Sequence, residues 1–262
     1  MPIPTMTEAE IISYLERTQL PTVLVEGKDD ASIYRWIEKR LGVMSGSVLI
    51  CSGRDVLLSI YRKRHQFSHA SIAWLADRDM WLYTCPPEDL GDVVFTAGYS
   101  IENDVYAGSE IESLLDGSEL DSHRRLLATL SRWFAFEVAE FRGCRETRQA
   151  IHINRIVDFG NMDLIPAFIV DRGYSEPDAA IVNDVLTNYK LYLRGKTLLQ
   201  AIVHFLSESN RTPKYSHAAV LDMSLRLYPA NPYIKRIVQE VQYQLSPDTK
   251  QSPQWNVAGI SG

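Results

Sequence analysis

The chain has 262 residues, 45% of them hydrophobic and 23% charged, which is ordinary globular usage and excludes disordered and fibrous classes. Its formal net charge of −6 argues against a protein that coats nucleic acid with a bulk positive field, but leaves room for an enzyme that places a few cations locally. No apolar run reaches the roughly 18–20 residues of a membrane helix, the opening residues carry no basic and apolar leader, and Cys51, Cys85 and Cys144 are too far apart for a disulfide framework or a Cys-x-x-Cys metal pair, so a cytoplasmic chain with reduced thiols and no membrane contact is expected.

Thr7 with Glu10 spells a capping box that opens a helix through about Arg17. Thr22-Val23-Leu24-Val25 is a short apolar run of the kind that forms a buried parallel strand, and it stops at Glu26-Gly27. A helix follows from Asp29 or Asp30, with Ile33, Trp36, Ile37 and Leu41 inward. The alternation repeats with a strand at Ser47–Cys51, a helix from about Asp55 to Arg64, a strand at Ser71–Ala76 ending in Asp77-Arg78-Asp79, and a strand at Val93–Thr96 ending in Gly98-Tyr99-Ser100. Such alternation implies a parallel sheet flanked by helices, an α/β class whose chemistry collects beyond the carboxyl ends of the strands.

After residue 105 the signal becomes helical. Ser109 with Glu112 reads as a second capping box, Ser118 to about Arg142 is a long amphipathic segment, and Asp178–Leu193, Lys196–Leu206, His217–Tyr228 and Ile234–Leu245 carry helical periodicity. The expected organisation is an α/β catalytic domain over 1–105, a helical region over 106–245 and a flexible polar tail over 246–262.

Three places put carboxylates just past apolar strands: Glu26 through Asp30, Asp77-x-Asp79, and Glu102 in Ser100-Ile101-Glu102-Asn103-Asp104. Taken singly, Glu-Gly is a turn, Asp-x-Asp a solvated loop and Glu102 a helix cap. Their joint order on successive parallel strands points instead to one shared site, because several carboxylates in one crevice repel unless a divalent cation offsets them. Hard oxygen donors without His or Cys suit Mg²⁺ or Mn²⁺, as one or two ions. Asp77 and Asp79 face the same side if their segment stays extended. Lys28, Arg54 and Arg78 are candidates to hold neighbouring phosphates. His65 and His69 suggest no metal site, and Trp133, Phe134 and Phe136 read as core or a dimer surface. His123, His152, His204 and His217 sit in no motif of a nucleophilic triad. Arg194-Gly195-Lys196-Thr197 lacks the upstream glycine and strand of a nucleotide-binding loop, so an ATPase activity would have to come from another chain.

Glu26-Gly27-x-x-Asp30 followed by Asp77-x-Asp79 at a third strand resembles the Toprim domain of topoisomerases, primases and OLD-family nucleases. Ser100-Ile101-Glu102-Asn103 resembles the Ile-Glu-Asn signature of a subgroup close to the OLD nucleases, in which a Gly-Lys pair opens a late helix, as Gly195-Lys196 does here. Size and the helical second half are similar to the AriB family, the effector subunits of PARIS anti-phage defence systems. The resemblance implies a Toprim-like fold with a metal-dependent endonuclease site. Glu26 would be general acid/base or metal ligand, Asp30, Asp77 and Asp79 metal ligands, Glu102 a ligand of a second metal, and Lys196 a catalytic cation beside the phosphate. It also implies a toxic effector held by an AriA-like ATPase subunit, a transfer RNA substrate favoured over DNA, and a homodimer on release. The rival expectations are a DNA-nicking OLD-like nuclease and a non-catalytic binding subunit.

Overall fold

A computed structural model describes residues 6–27, 30–42, 47–207, 212 and 214–246. The expected tail lies outside the described residues from 247 onward, as does Lys28. Helix α1 (Glu8–Leu15) begins at the predicted box, with Thr7 Oγ1 accepting from Glu10 N–H and the Glu10 carboxylate accepting from Thr7 N–H. Strand β1 (Thr22–Val25), helix α2 (Ala31–Leu41), strand β2 (Ser47–Ile50), helix α3 (Arg54–Arg62), strand β3 (Ile72–Ala76) and strand β4 (Val93–Phe95) follow in the predicted order. The strands form one parallel sheet of order β2-β1-β3-β4, with Val25 opposite both Ile50 and Leu75. The α/β Toprim-like class, with a mainly helical C-terminal part, is therefore what the chain adopts.

Both sheet faces are covered, which explains why the strands carry no polar alternation. Leu24, Trp74 and Ala76 face α1 and α3, in a cluster with Ile11, Leu57 and Tyr61. Val23, Val25, Ala73 and Leu75 face the other way, into the larger cluster. That cluster runs on without a break to Ile237, Val241 and Leu245 of the last helix, so the first hundred residues and the helical region share one core. Each fully buried aliphatic side chain there stabilises by roughly 1.5–3 kcal/mol.

Helix α4 (Ile101–Ala107) starts where β4 and its turn end, and α5 (Gly117–Arg142) is the long helix, capped by Asp116. Trp133 and Phe134 are fully buried and Phe136 nearly so. A two-stranded hairpin, β5 (Val157–Asp158) with β6 (Asp163–Leu164), and α6 (Pro166–Arg172) come next; neither is predicted by periodicity. The segment expected as one helix over 178–193 is two, α7 (Ala179–Thr187) and α8 (Tyr189–Tyr192). They break at Asn188, whose amide donates to the Asp184 carbonyl, the local competition that makes Asn a poor interior helix residue. Helices α9 (Gly195–Leu206), α10 (His217–Leu227) and α11 (Pro232–Leu245) fall where periodicity places them.

The expected box at Ser109 and Glu112 does not form. Ser109 Oγ donates to the Tyr106 carbonyl. Glu112 is taken by tertiary partners, accepting from the hydroxyls of Tyr106 and Tyr189 and pairing with Lys190.

Among the described residues no helix is long and apolar enough to cross a membrane.

Candidate functional site

The carboxyl ends of β1, β3 and β4 open on one cavity of about 190 Å³. Glu26, Asp30, Asp77, Asp79, Glu102 and Lys196 all line it, although they come from segments up to 170 positions apart. Because β1 and β3 are adjacent and parallel, Glu26 and Asp77 leave the sheet side by side, and Asp77 N–H donates to Glu26 Oε1 at 2.9 Å. Asp77 Oδ1 in turn accepts from Ile101 N–H at 2.9 Å, satisfying one of the donors a helix start leaves open. Asp30 occupies the position before α2 and is nearly buried.

Asp79 arrives by a different route from the expected one. The segment is not extended: Arg78 is helical, and Asp79 has φ +47, a left-handed conformation, at the start of a 3-10 turn. Asp tolerates this region better than most residues, and Asp79 N–H is held by the Tyr99 carbonyl at 2.7 Å. Its carboxylate lies 2.8 Å from Arg54 Nη1, off the hydrogen-bond direction, and the Arg54 guanidinium sits over the Trp81 ring at 4.4 Å. Arg54 thus braces Asp79. Arg78 does not line the cavity, and its charge acts on the buried carboxyl of Asp104 instead.

Lys196 reaches the site because α9 docks on the β4–α4 turn. Asn103 fastens the two: its amide donates to the carbonyls of Lys190 and Leu193, while its Oδ1 accepts from Ser100 N–H and Oγ–H. Gly195 permits the approach. A Cβ there would lie 2.3 Å from Ser100 Oγ and 2.8 Å from Asn103 Oδ1, distances that no real side chain tolerates without displacement. From the other side of the turn, Asp104 accepts from the N–H groups of Ala97 and Gly98 and lies 3.8 Å from Arg236 of α11.

Burial and mutual repulsion dominate the electrostatics. The Glu26 carboxyl is pushed up to about 7, first by burial, then by Asp79, against the pull of Asp77 N–H and Arg54. Asp77 is held well above the usual carboxylate range by burial, then by Glu26 and Glu102. Asp79 is raised by burial, with Arg54 and Arg194 opposing.

The donor set fits a hard divalent cation. Glu102 is 3% exposed and its carboxylate makes no hydrogen bond or ion pair to a described residue, although a buried charge ordinarily requires a partner. Glu26 Oε2 and Asp77 Oδ2 likewise take no hydrogen bond among the described residues. Among those residues, no three acidic, His or Cys side chains stand gathered closely enough to hold an ion. Glu26, Asp77 and Asp79 each turn one oxygen to a protein donor or cation.

Sequence reasoning passes over three of the lining residues. Tyr99 and Gly53 carry no motif that marks them, whereas Arg194 directly precedes the Gly-Lys pair, which is the signal that could have found it. No protein-family model matches this chain, and no curated protein matches it.

Proposed function

We propose that the chain is a metal-dependent nuclease of the OLD-like Toprim group that hydrolyses phosphodiester bonds. One observation carries the reading: six residues named from strand ends and a Gly-Lys pair line the same cavity, with Glu102 buried there. Asp30, Asp77, Asp79 and Glu102, with Glu26 beside them, would hold one or two Mg²⁺ or Mn²⁺ ions. When bound, such ions supply Lewis-acid stabilisation of phosphoryl oxygen and a water of lowered pKa.

The chain's own residues do the rest. Glu26 takes the proton from the water that attacks phosphorus, as a base fixed to a rigid strand end. Lys196 holds the non-bridging oxygens as charge accumulates on them. The bond from phosphorus to the leaving sugar oxygen breaks, and that oxygen takes a proton from solvent. Arg54 keeps Asp79 oriented, and Asn103 and Gly195 keep Lys196 within reach.

The resemblance to AriB-type effectors directs the proposal to biology: a toxin of anti-phage defence, held by an AriA-like ATPase subunit, released as a homodimer, and cleaving transfer RNA. The test is sequencing of nucleic-acid ends from cells expressing the chain or its Glu26→Gln variant, alongside purified protein with Mg²⁺ or with chelator. New transfer RNA ends that require Glu26 and divalent metal are expected. DNA ends in their place would reassign the substrate, and cleavage undiminished in Glu26→Gln would remove the site from the chemistry.

A further inference from the structure

Arg194 stands at the N-cap position of α9, where its carbonyl accepts from Leu198 N–H but its side chain does nothing for that helix. Guanidinium has no acceptor and cannot cap, and the position makes no side-chain cap bond. A cation is also disfavoured there, because the helix end already carries partial positive charge. Yet Arg194 lines the acidic cavity beside Lys196, half-buried, and its guanidinium makes no hydrogen bond or ion pair to any described residue. Two other cations near the carboxylates are committed, Arg54 to Asp79, and Arg236 to Glu240 and the Phe95 carbonyl. An arginine fork held on a rigid helix start, facing a site, with its charge felt by Asp79 but no hydrogen bond to any described residue, has the chemistry of an anion receptor.

We infer that Arg194 is a substrate-binding residue that grips two oxygens of one backbone phosphate of the nucleic acid, next to the bond that is cut. The inference rests on the nuclease reading and deepens it. Once cations offset the carboxylates, the Arg194–Lys196 wall of the cavity is its anion-accepting side. Lys196 then serves the reacting phosphate, while Arg194 sets the register of the strand.

The test is equilibrium binding of labelled, unfractionated transfer RNA in Mg²⁺ over a series of salt concentrations. It is done in the Glu26→Gln background, so that binding is read apart from turnover, with Arg194→Ala and Arg194→Lys added. Arg194→Ala is expected to weaken binding about 10-fold and to reduce the salt slope by about 0.7–0.9, the share of one phosphate contact. Arg194→Lys is expected to keep the slope and lose affinity several-fold, since the charge survives and the fork does not. Melting temperatures equal to that of the parent would show that the change is not one of folding. Slope and affinity that are the same with Arg or Ala at 194, or binding absent from both, overturn the inference, and full rescue by Lys overturns its bidentate form. Wild-type protein without metal-dependent cleavage, but with binding still lost in Arg194→Ala, would sink the nuclease reading and leave the anion receptor standing.

Discussion

Two buried carboxylates in this molecule have opposite surroundings. Glu137 of α5 is fully buried and fully answered: Arg172 donates from Nε and Nη2 to its two oxygens, and Arg148 N–H adds a third bond. Glu102, 3% exposed, has no hydrogen-bond partner among the described residues and shares its cavity with four other acids. The first arrangement repays its desolvation within the fold and pins α6 to α5. The second has no such answer among the described residues, which is what the proposed metal site would supply. A site that gathers mutually repelling carboxylates and a left-handed Asp79 is held at the expense of stability, as binding sites commonly are.

The sharpest way to break this contrast is to separate activity from stability in the two places. Glu26→Gln should lower cleavage about 10⁴-fold while the melting temperature holds or rises, because a repelling charge leaves the cavity; a fall in stability would mean that Glu26 is structural. Glu137→Ala should do the reverse. It strands Arg172 and costs roughly 3–5 kcal/mol in denaturant unfolding, with cleavage per folded molecule unchanged.

A third comparison concerns His123, buried beside Phe205 with Nε2 unpartnered and its pKa pushed down from 6.5 to about 4, chiefly by burial. The unfolded chain binds this proton below pH 6.5 and the folded one does not until near pH 4. Stability is therefore full above the unfolded value and falls between the two, by roughly 3 kcal/mol at most. His123→Leu should flatten that part of the pH–stability curve and leave cleavage alone; an unchanged curve would show that another group sets it. The smallest effect is expected for Gly195→Ala, whose methyl must push α9 off Ser100. Turnover per folded molecule should drop about 100-fold through misplacement of Lys196, with stability lowered by roughly 1–3 kcal/mol from overpacking, and wild-type turnover would mean that the docking of α9 is irrelevant to the chemistry.

Much of this was legible along the chain. The run Thr22–Val25 and its counterparts read as buried strands because a sheet covered on both faces needs apolar residues at every position. Glu26 and Asp77 stood out because each directly follows such a run, and Glu102 because it lies just past the turn after another. Where neighbours compete, the reading failed. Glu112 looked like a local cap but is claimed by Tyr106, Tyr189 and Lys190 across the fold. The break at Asn188 was invisible to periodicity, since α7 and α8 together keep an apolar face. Arg78 carried no sign that it would stay out of the cavity.

Local order alone therefore settled the sheet, its helices and the acidic strand ends, because strand period, turn residues and helix caps act over a few positions. The convergence of Glu26, Asp77, Asp79 and Glu102 with Lys196 belongs to the tertiary structure. Only the docking of α9 on the β4–α4 turn, through Asn103 and across Gly195, brings a cation from the last third of the chain to acids in the first, because such proximity depends on packing between distant segments and not on neighbours in sequence.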